Sequence, residues 1–144
     1  MGILDLPFFQ GRITNDPQDG PGYPDMGLEA LNKGHRKIIK KLIKQDDKVV
    51  DAGCGVGRIA SWFKNYTGFD FVPEFIEAAK TLQPDKKFVV ADYNQKLPFA
   101  DKEFDWCIII SAYQYVDDDA ELRRIAKKIL ILSYGNKKSW RMIG

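Results

Sequence analysis

Between Val49 and Gly57 the chain reads Val-Val-Asp-Ala-Gly-Cys-Gly-Val-Gly, and a second acidic residue, Asp70, follows in Tyr-Thr-Gly-Phe-Asp. Two β-branched residues end a strand. Three alternate glycines, Gly53, Gly55 and Gly57, then make a turn that needs unusual dihedrals and lets a ligand come close. Arg58-Ile-Ala-Ser-Trp-Phe opens an expected helix, whose first N–H groups and positive dipole end would face whatever sits over the turn. An acidic residue ending the next strand is placed to bind a ribose diol. The segment therefore predicts a strand–turn–helix unit with a nucleoside-bearing ligand at the strand's carboxyl end.

The glycine spacing narrows the ligand. A dinucleotide loop reads G-x-G-x-x-G, whereas here Arg58 stands where the third glycine would fall. Asp51 precedes the first glycine by two residues, and a carboxylate there repels a pyrophosphate but suits a cationic group. The phosphate loop G-x-x-x-x-G-K-[ST] is absent. A nucleotide-dependent oxidoreductase is thereby disfavoured.

The segment closely resembles motif I of the class I S-adenosylmethionine-dependent methyltransferases, D-x-G-C/T-G-x-G. The resemblance implies that Asp51, Ala52, Gly53, Cys54, Gly55 and Gly57 wrap the methionine part of S-adenosylmethionine, with Asp51 near its ammonium. Cys54 would pack its side chain and offer its backbone N–H to the ligand. Asp70 would take the ribose hydroxyls, and Phe71 would cover one face of the adenine. Asp92 and Tyr93, after Phe-Val-Val-Ala, match the position where the family has an acidic residue near the adenine amino group; a strand-end cap is the simpler role for Asp92. Leu97-Pro-Phe, Glu103-Phe-Asp and the run from Trp106 to Ser111 resemble the strand-four region. Together the four motifs cover residues 47–134, in family order.

The remaining chain fits one α/β domain. Residues 1–25 contain four prolines and four glycines and predict an irregular arm. Residues 26–46 form a leading helix with an apolar stripe at 28, 31, 38, 39, 42 and 43. Residues 47–134 are the cofactor-binding core and 135–144 a tail. Strands are expected at 48–51, 66–70, 87–91, 105–110 and 129–133. Helices are expected at 57–64, at 74–82 between Pro73 and Pro84, and at 120–128 behind Asp117, Asp118 and Asp119. The alternation predicts a doubly wound, mainly parallel sheet with right-handed crossovers. The resemblance makes it Rossmann-like in the order 3-2-1-4-5, with the family's strands 6 and 7 missing because the tail is too short for them. Strand five would then be an open edge, to be covered by the arm, the tail or a second copy in a homodimer.

Composition sets outer bounds. Hydrophobic residues at 44% and charged residues at 29% describe a folded chain. A net charge of +2 is too small to imply a nucleic-acid or membrane partner. Cys54, Cys107 and the single histidine provide no metal cluster and suit a reducing compartment. No apolar run approaches a membrane span and the N-terminus lacks the pattern of a signal peptide, so a cytoplasmic location is expected.

Candidates for the chemistry flank the glycine loop. Asn32-Lys-Gly-His35 is similar to the Met-Asn-x-Gly-His segment of some small family members, with Leu31 for the methionine. In them it lies beside the cofactor's methionine end; a structural histidine is the plainer reading. Tyr113, Gln114 and Tyr115 follow strand four, where the family faces the transferred methyl, or else they pack as aromatics. Tyr23 in Gly-Tyr-Pro is a candidate lid residue. Lys33, Lys37, Lys40, Lys41 and Lys44 share a helix face, read first as solvated and alternatively as an RNA-binding surface. The Asn/Asp-Pro-Pro-Tyr and Pro-Cys segments of base methyltransferases are absent. The expected function is in-line methyl transfer to a small-molecule acceptor, the alternative a cofactor-binding module or regulatory subunit without catalysis of its own.

Overall fold

A computed structural model describes residues 28–132 and 141–144, apart from the side chains of residues 28–31 and of Gln114. The expected N-terminal arm with Tyr23 lies outside the described residues. Strands β1 (Lys48–Ala52), β2 (Asn65–Asp70), β3 (Lys87–Val90), β4 (Phe104–Ile110), β5 (Ala126–Leu132) and β6 (Arg141–Ile143) are joined by helices α1 (Leu28–Leu42), α2 (Pro73–Leu82) and α3 (Ala120–Ile125). They form one sheet in the order β3-β2-β1-β4-β5-β6. β1 pairs in parallel with β2 on one side and β4 on the other, setting Asp51 beside Gly68 and Ile108. The chain thus leaves β1 in one direction and returns past it to β4, which opens a crevice beyond the carboxyl ends of these two strands.

Both faces of the sheet are covered, which is why β1 reads as a continuous apolar run around Asp51. One core joins Ile39 of α1, Ile43 just past its end, and Ile76 and Ala79 of α2 to Val49, Tyr66, Phe88, Trp106 and Ile108. The other joins Leu122 and Ile125 of α3 to Val50, Phe69, Phe104, Cys107 and Ile109. Pro73 stands in the first turn of α2 with Glu74, as the sequence requires.

Three expectations change. The helix expected at 57–64 is a run of turns with a three-residue 3-10 turn, Ala60–Trp62. Gly57 lies at φ +82°, outside the helical region, and the Gln83 amide donates to the carbonyls of Val56 (3.1 Å) and Gly57 (2.8 Å). A side chain thereby occupies acceptors that a helix would use, and the expected helix dipole over the loop is absent. The helix expected at 120–128 ends at Ile125 because Ala126 turns extended and pairs with Phe104. Finally, of the three covers expected for the β5 edge the tail is the one found, and it pairs as a further strand. The chain's own tail supplies β6, antiparallel to it with Ile131 beside Arg141 and Ile129 beside Ile143. A homodimer is not needed to cover that edge, and the sheet has one strand more than the sequence suggested.

Candidate functional site

Asp51 is buried at the end of β1, and the Tyr66 hydroxyl donates to its Oδ2 at 2.6 Å. Gly68 makes this possible, because a Cβ there would stand 2.7 Å from the Tyr66 hydroxyl and 2.9 Å from the Cys54 Sγ. Burial pushes the Asp51 carboxyl up from 3.8 to about 6, against the lowering effects of the Tyr66 hydrogen bond and the nearby Arg58 charge. Asp70, ending β2, is also buried. Its Oδ2 accepts the Gly55 N–H at 2.9 Å and its Oδ1 the Val72 N–H at 3.0 Å. Desolvation raises it too, although backbone donors favour its charged form.

The glycine loop runs between these two carboxylates with Gly53, Gly55 and Gly57 all at positive φ. Its backbone donors are used within the protein. The N–H groups of Gly53 and Cys54 both go to the Phe69 carbonyl at 2.9 Å, and that of Gly57 goes to the Cys54 carbonyl at 3.0 Å. With Gly55 bound to Asp70, the loop keeps four N–H groups turned inward. This corrects the role expected for the Cys54 N–H, which is committed to β2 rather than offered outward. The Cys54 side chain packs as expected; burial beside Asp51 and Asp70 pushes its thiol well up, so it is no nucleophile.

The crevice wall opposite the loop comes from the ends of β3 and β4. A Cβ on Gly53 would touch the Ala112 Cβ at 3.5 Å and the Tyr93 ring at 3.8 Å. Tyr93 is buried, and the desolvation and the charges of Asp70 and Asp92 hold its hydroxyl protonated. Asp92 caps its own turn, its Oδ1 accepting the Asn94 N–H at 2.9 Å. Asn94 in turn bridges to the far loop, donating to the Tyr115 carbonyl and accepting the Asp117 N–H. Ser111 takes φ +52° while its N–H donates to the Leu132 carbonyl at 2.8 Å. A left-handed non-glycine residue at the end of a central strand marks backbone held under strain at the crevice. Ala52 is buried at the end of β1, and Phe71 is half-buried just past Asp70.

The catalytic candidates fall into two places. His35 is buried, and its Nδ1 lies 3.0 Å from Arg58 Nη2. The guanidinium only donates, so Nδ1 accepts and the ring proton sits on Nε2. Arg58 also donates to Asn32 Oδ1 and sits 5.8 Å from the Trp62 ring, so α1 is tied to the glycine loop through one buried side chain. Tyr113 turns toward α3, its hydroxyl donating to Asp119 at 3.1 Å and its ring facing the Arg141 guanidinium at 5.0 Å. Tyr115 is half-buried, and the side chain of Gln114 lies outside the described residues. The residues that sequence reasoning missed are Tyr66, Gln83 and Arg58. The first two gave no motif signal, and Arg58 registered only as a missing glycine.

Fold and site together describe a doubly wound domain with an acid-lined crevice at its switch point. The chain belongs to the methyltransferase-domain family, whose model matches residues 50–131, and it is a class I S-adenosylmethionine-dependent methyltransferase domain. It is 41% identical over 73 residues to an uncharacterized protein of Methanocaldococcus jannaschii, covering 51% of this chain and 28% of that protein. Over 87 residues it is 29% identical to the 18S rRNA (guanine-N(7))-methyltransferase of Bos taurus, covering 56% and 31%. The matched stretches thus span less than a third of either relative. Among solved structures, a TehB-like S-adenosylmethionine-dependent methyltransferase from Corynebacterium glutamicum superposes with a TM-score of 0.58 at 26% identity, over 68% of this chain and 60% of that one. Among the described residues no helix is long and apolar enough to cross a membrane.

Proposed function

We propose that the domain binds S-adenosylmethionine in the crevice between the glycine loop and Ser111 and catalyses transfer of its methyl group to a nucleic-acid acceptor. The observation that carries the cofactor reading is the commitment of the loop's N–H groups to Phe69, Asp70 and Cys54. A phosphate cradle needs those donors free, whereas two buried carboxylates favour a ligand with a cationic end. Asp51 would face the ammonium, Asp70 the ribose hydroxyls, and Phe71 and Asp92 the adenine. The cofactor supplies a carbon already activated by its sulfonium. The chain's own work is therefore positioning and exclusion of water. Gly53 against Ala112 and Tyr93 closes the loop side, and the strained Ser111 fixes the direction in which residues 112–115 leave β4. His35 is a positioning residue on this reading, acting on the loop through Arg58.

For the acceptor, similarity to an rRNA methyltransferase favours a nucleic acid over the small molecule expected from the sequence. The test is incubation of the full chain with methyl-labelled S-adenosylmethionine and either cellular RNA or the small-molecule fraction of the same extract. Label that is precipitable and ribonuclease-sensitive is expected. Label confined to the small-molecule fraction overturns the acceptor reading, and binding without transfer to either would make the domain a cofactor-binding module.

A further inference from the structure

Lys33, Arg36, Lys37, Lys40, Lys41 and Lys44 are all exposed along the outer side of α1 and just past its end. Their spacing of three and four residues places them on one stripe, opposite the buried Ile39 and Ile43. Among the described residues no carboxylate forms an ion pair with any of the six. Asp46 pairs with Lys64, and Asp47 accepts the Lys44 backbone N–H. Like charges three and four apart destabilise a helix, and among the described residues no ion pair to these six offsets that cost. Apart from these six, the acidic and basic residues of 30–144 are equal in number. Positive charge is therefore concentrated on one face rather than spread for solubility.

From this we infer that the outer face of α1 is a docking surface for an RNA phosphate backbone. The inference rests on the nucleic-acid reading of the acceptor and adds where the polyanion lies. The placement is productive because the inner side of the same helix reaches the glycine loop through His35 and Arg58. Arg36 additionally sits 5.8 Å from the Trp62 ring, which sets one guanidinium of the stripe against the body of the domain. A chain held along α1 is thus carried by an element anchored to the cofactor loop.

The test is fluorescence anisotropy of the full chain with labelled RNA and DNA oligonucleotides of matched sequence, from about 50 to 200 mM salt. Affinity for RNA that falls steeply with salt is expected, and DNA bound more tightly than RNA would overturn RNA as the occupant. Replacing Lys37, Lys40 and Lys44 by glutamine should weaken binding about tenfold or more and lower the log–log salt slope by about 2. The matched control, Lys80→Gln with Lys87→Gln and Lys96→Gln, should leave both unchanged. Equal losses in the two triples, no loss in the first, or binding only to phosphatidylcholine–phosphatidylserine vesicles would overturn the inference. Calorimetry with S-adenosylhomocysteine on the α1 triple should give unchanged affinity. RNA binding that survives while methyl transfer to RNA fails would count against the acceptor reading alone.

Discussion

The two sides of β1 treat their carboxylates in opposite ways: partly exposed and paired on one side, buried on the other. On the β4–β5 side, Arg124 uses all five of its donors: Nε and Nη2 on Glu121, Nη1 on Asp101 and the Phe99 carbonyl, and Nη2 again on the Leu97 carbonyl. Glu121 is held down to about 2 by Arg124 and by the Leu97 N–H. This cluster fastens residues 97–101 to α3. On the β2–β3 side, Asp51 and Asp70 are pushed up by burial, and the one nearby guanidinium, Arg58, faces His35 and Asn32. Charge that serves structure is neutralised inside the protein. At the loop, two buried carboxylates with raised pKa values mark a candidate functional site.

The comparison can be broken most severely at Asp70. Asp70→Ala should weaken cofactor binding by about a hundredfold, roughly 3 kcal/mol, read by calorimetry. It should also lower the melting temperature, because Gly55 and Val72 lose their acceptor. Unchanged affinity would remove Asp70 from the site.

At Asp51 the sign reverses. Its folded value of about 6 lies above the unfolded 3.8, so the folded state holds the proton more tightly. Stability from this group is full below 3.8 and falls as the pH rises to about 6. Asp51→Asn should therefore stabilise the ligand-free domain above pH 6 by about 1–3 kcal/mol while weakening cofactor binding. Denaturant melts on either side of pH 6 check it; a destabilised variant would contradict it.

The opposite result is expected for Arg124→Met, which should lower the melting temperature at neutral pH and leave cofactor affinity unchanged. The smallest effect is at Glu121, whose folded value lies below the unfolded 4.5. Its stabilisation is present above 4.5 and lost as the pH falls toward 2, so Glu121→Gln should flatten the acid side of the melting profile.

The same contrast explains what was legible in the sequence. Asp51, the three glycines and Asp70 are local signals: strand end, positive φ and next strand end follow from short spacings. So does α2, bracketed by Pro73 and Pro84. What failed to show depends on residues far apart in sequence. Gln83 replaces a helix by turns 26 residues earlier, Tyr66 reaches Asp51 only because Gly68 leaves room, and Arg124 binds residues 97–101, more than twenty positions earlier, to α3. β6 escaped notice because three residues carry little periodicity, and its pairing is set by the open edge of β5 rather than by its own composition.

The acid-lined loop commits the N–H groups of Gly53, Cys54, Gly55 and Gly57 within the protein. The direct measurement is calorimetric titration of the full chain with S-adenosylmethionine and, separately, NADH, repeated down to about pH 5. We predict micromolar S-adenosylmethionine binding that weakens about tenfold between about pH 7 and pH 5 as Asp51 takes up its proton, with no NADH binding. NADH binding as tightly as S-adenosylmethionine, or no heat from S-adenosylmethionine at neutral pH, would contradict it.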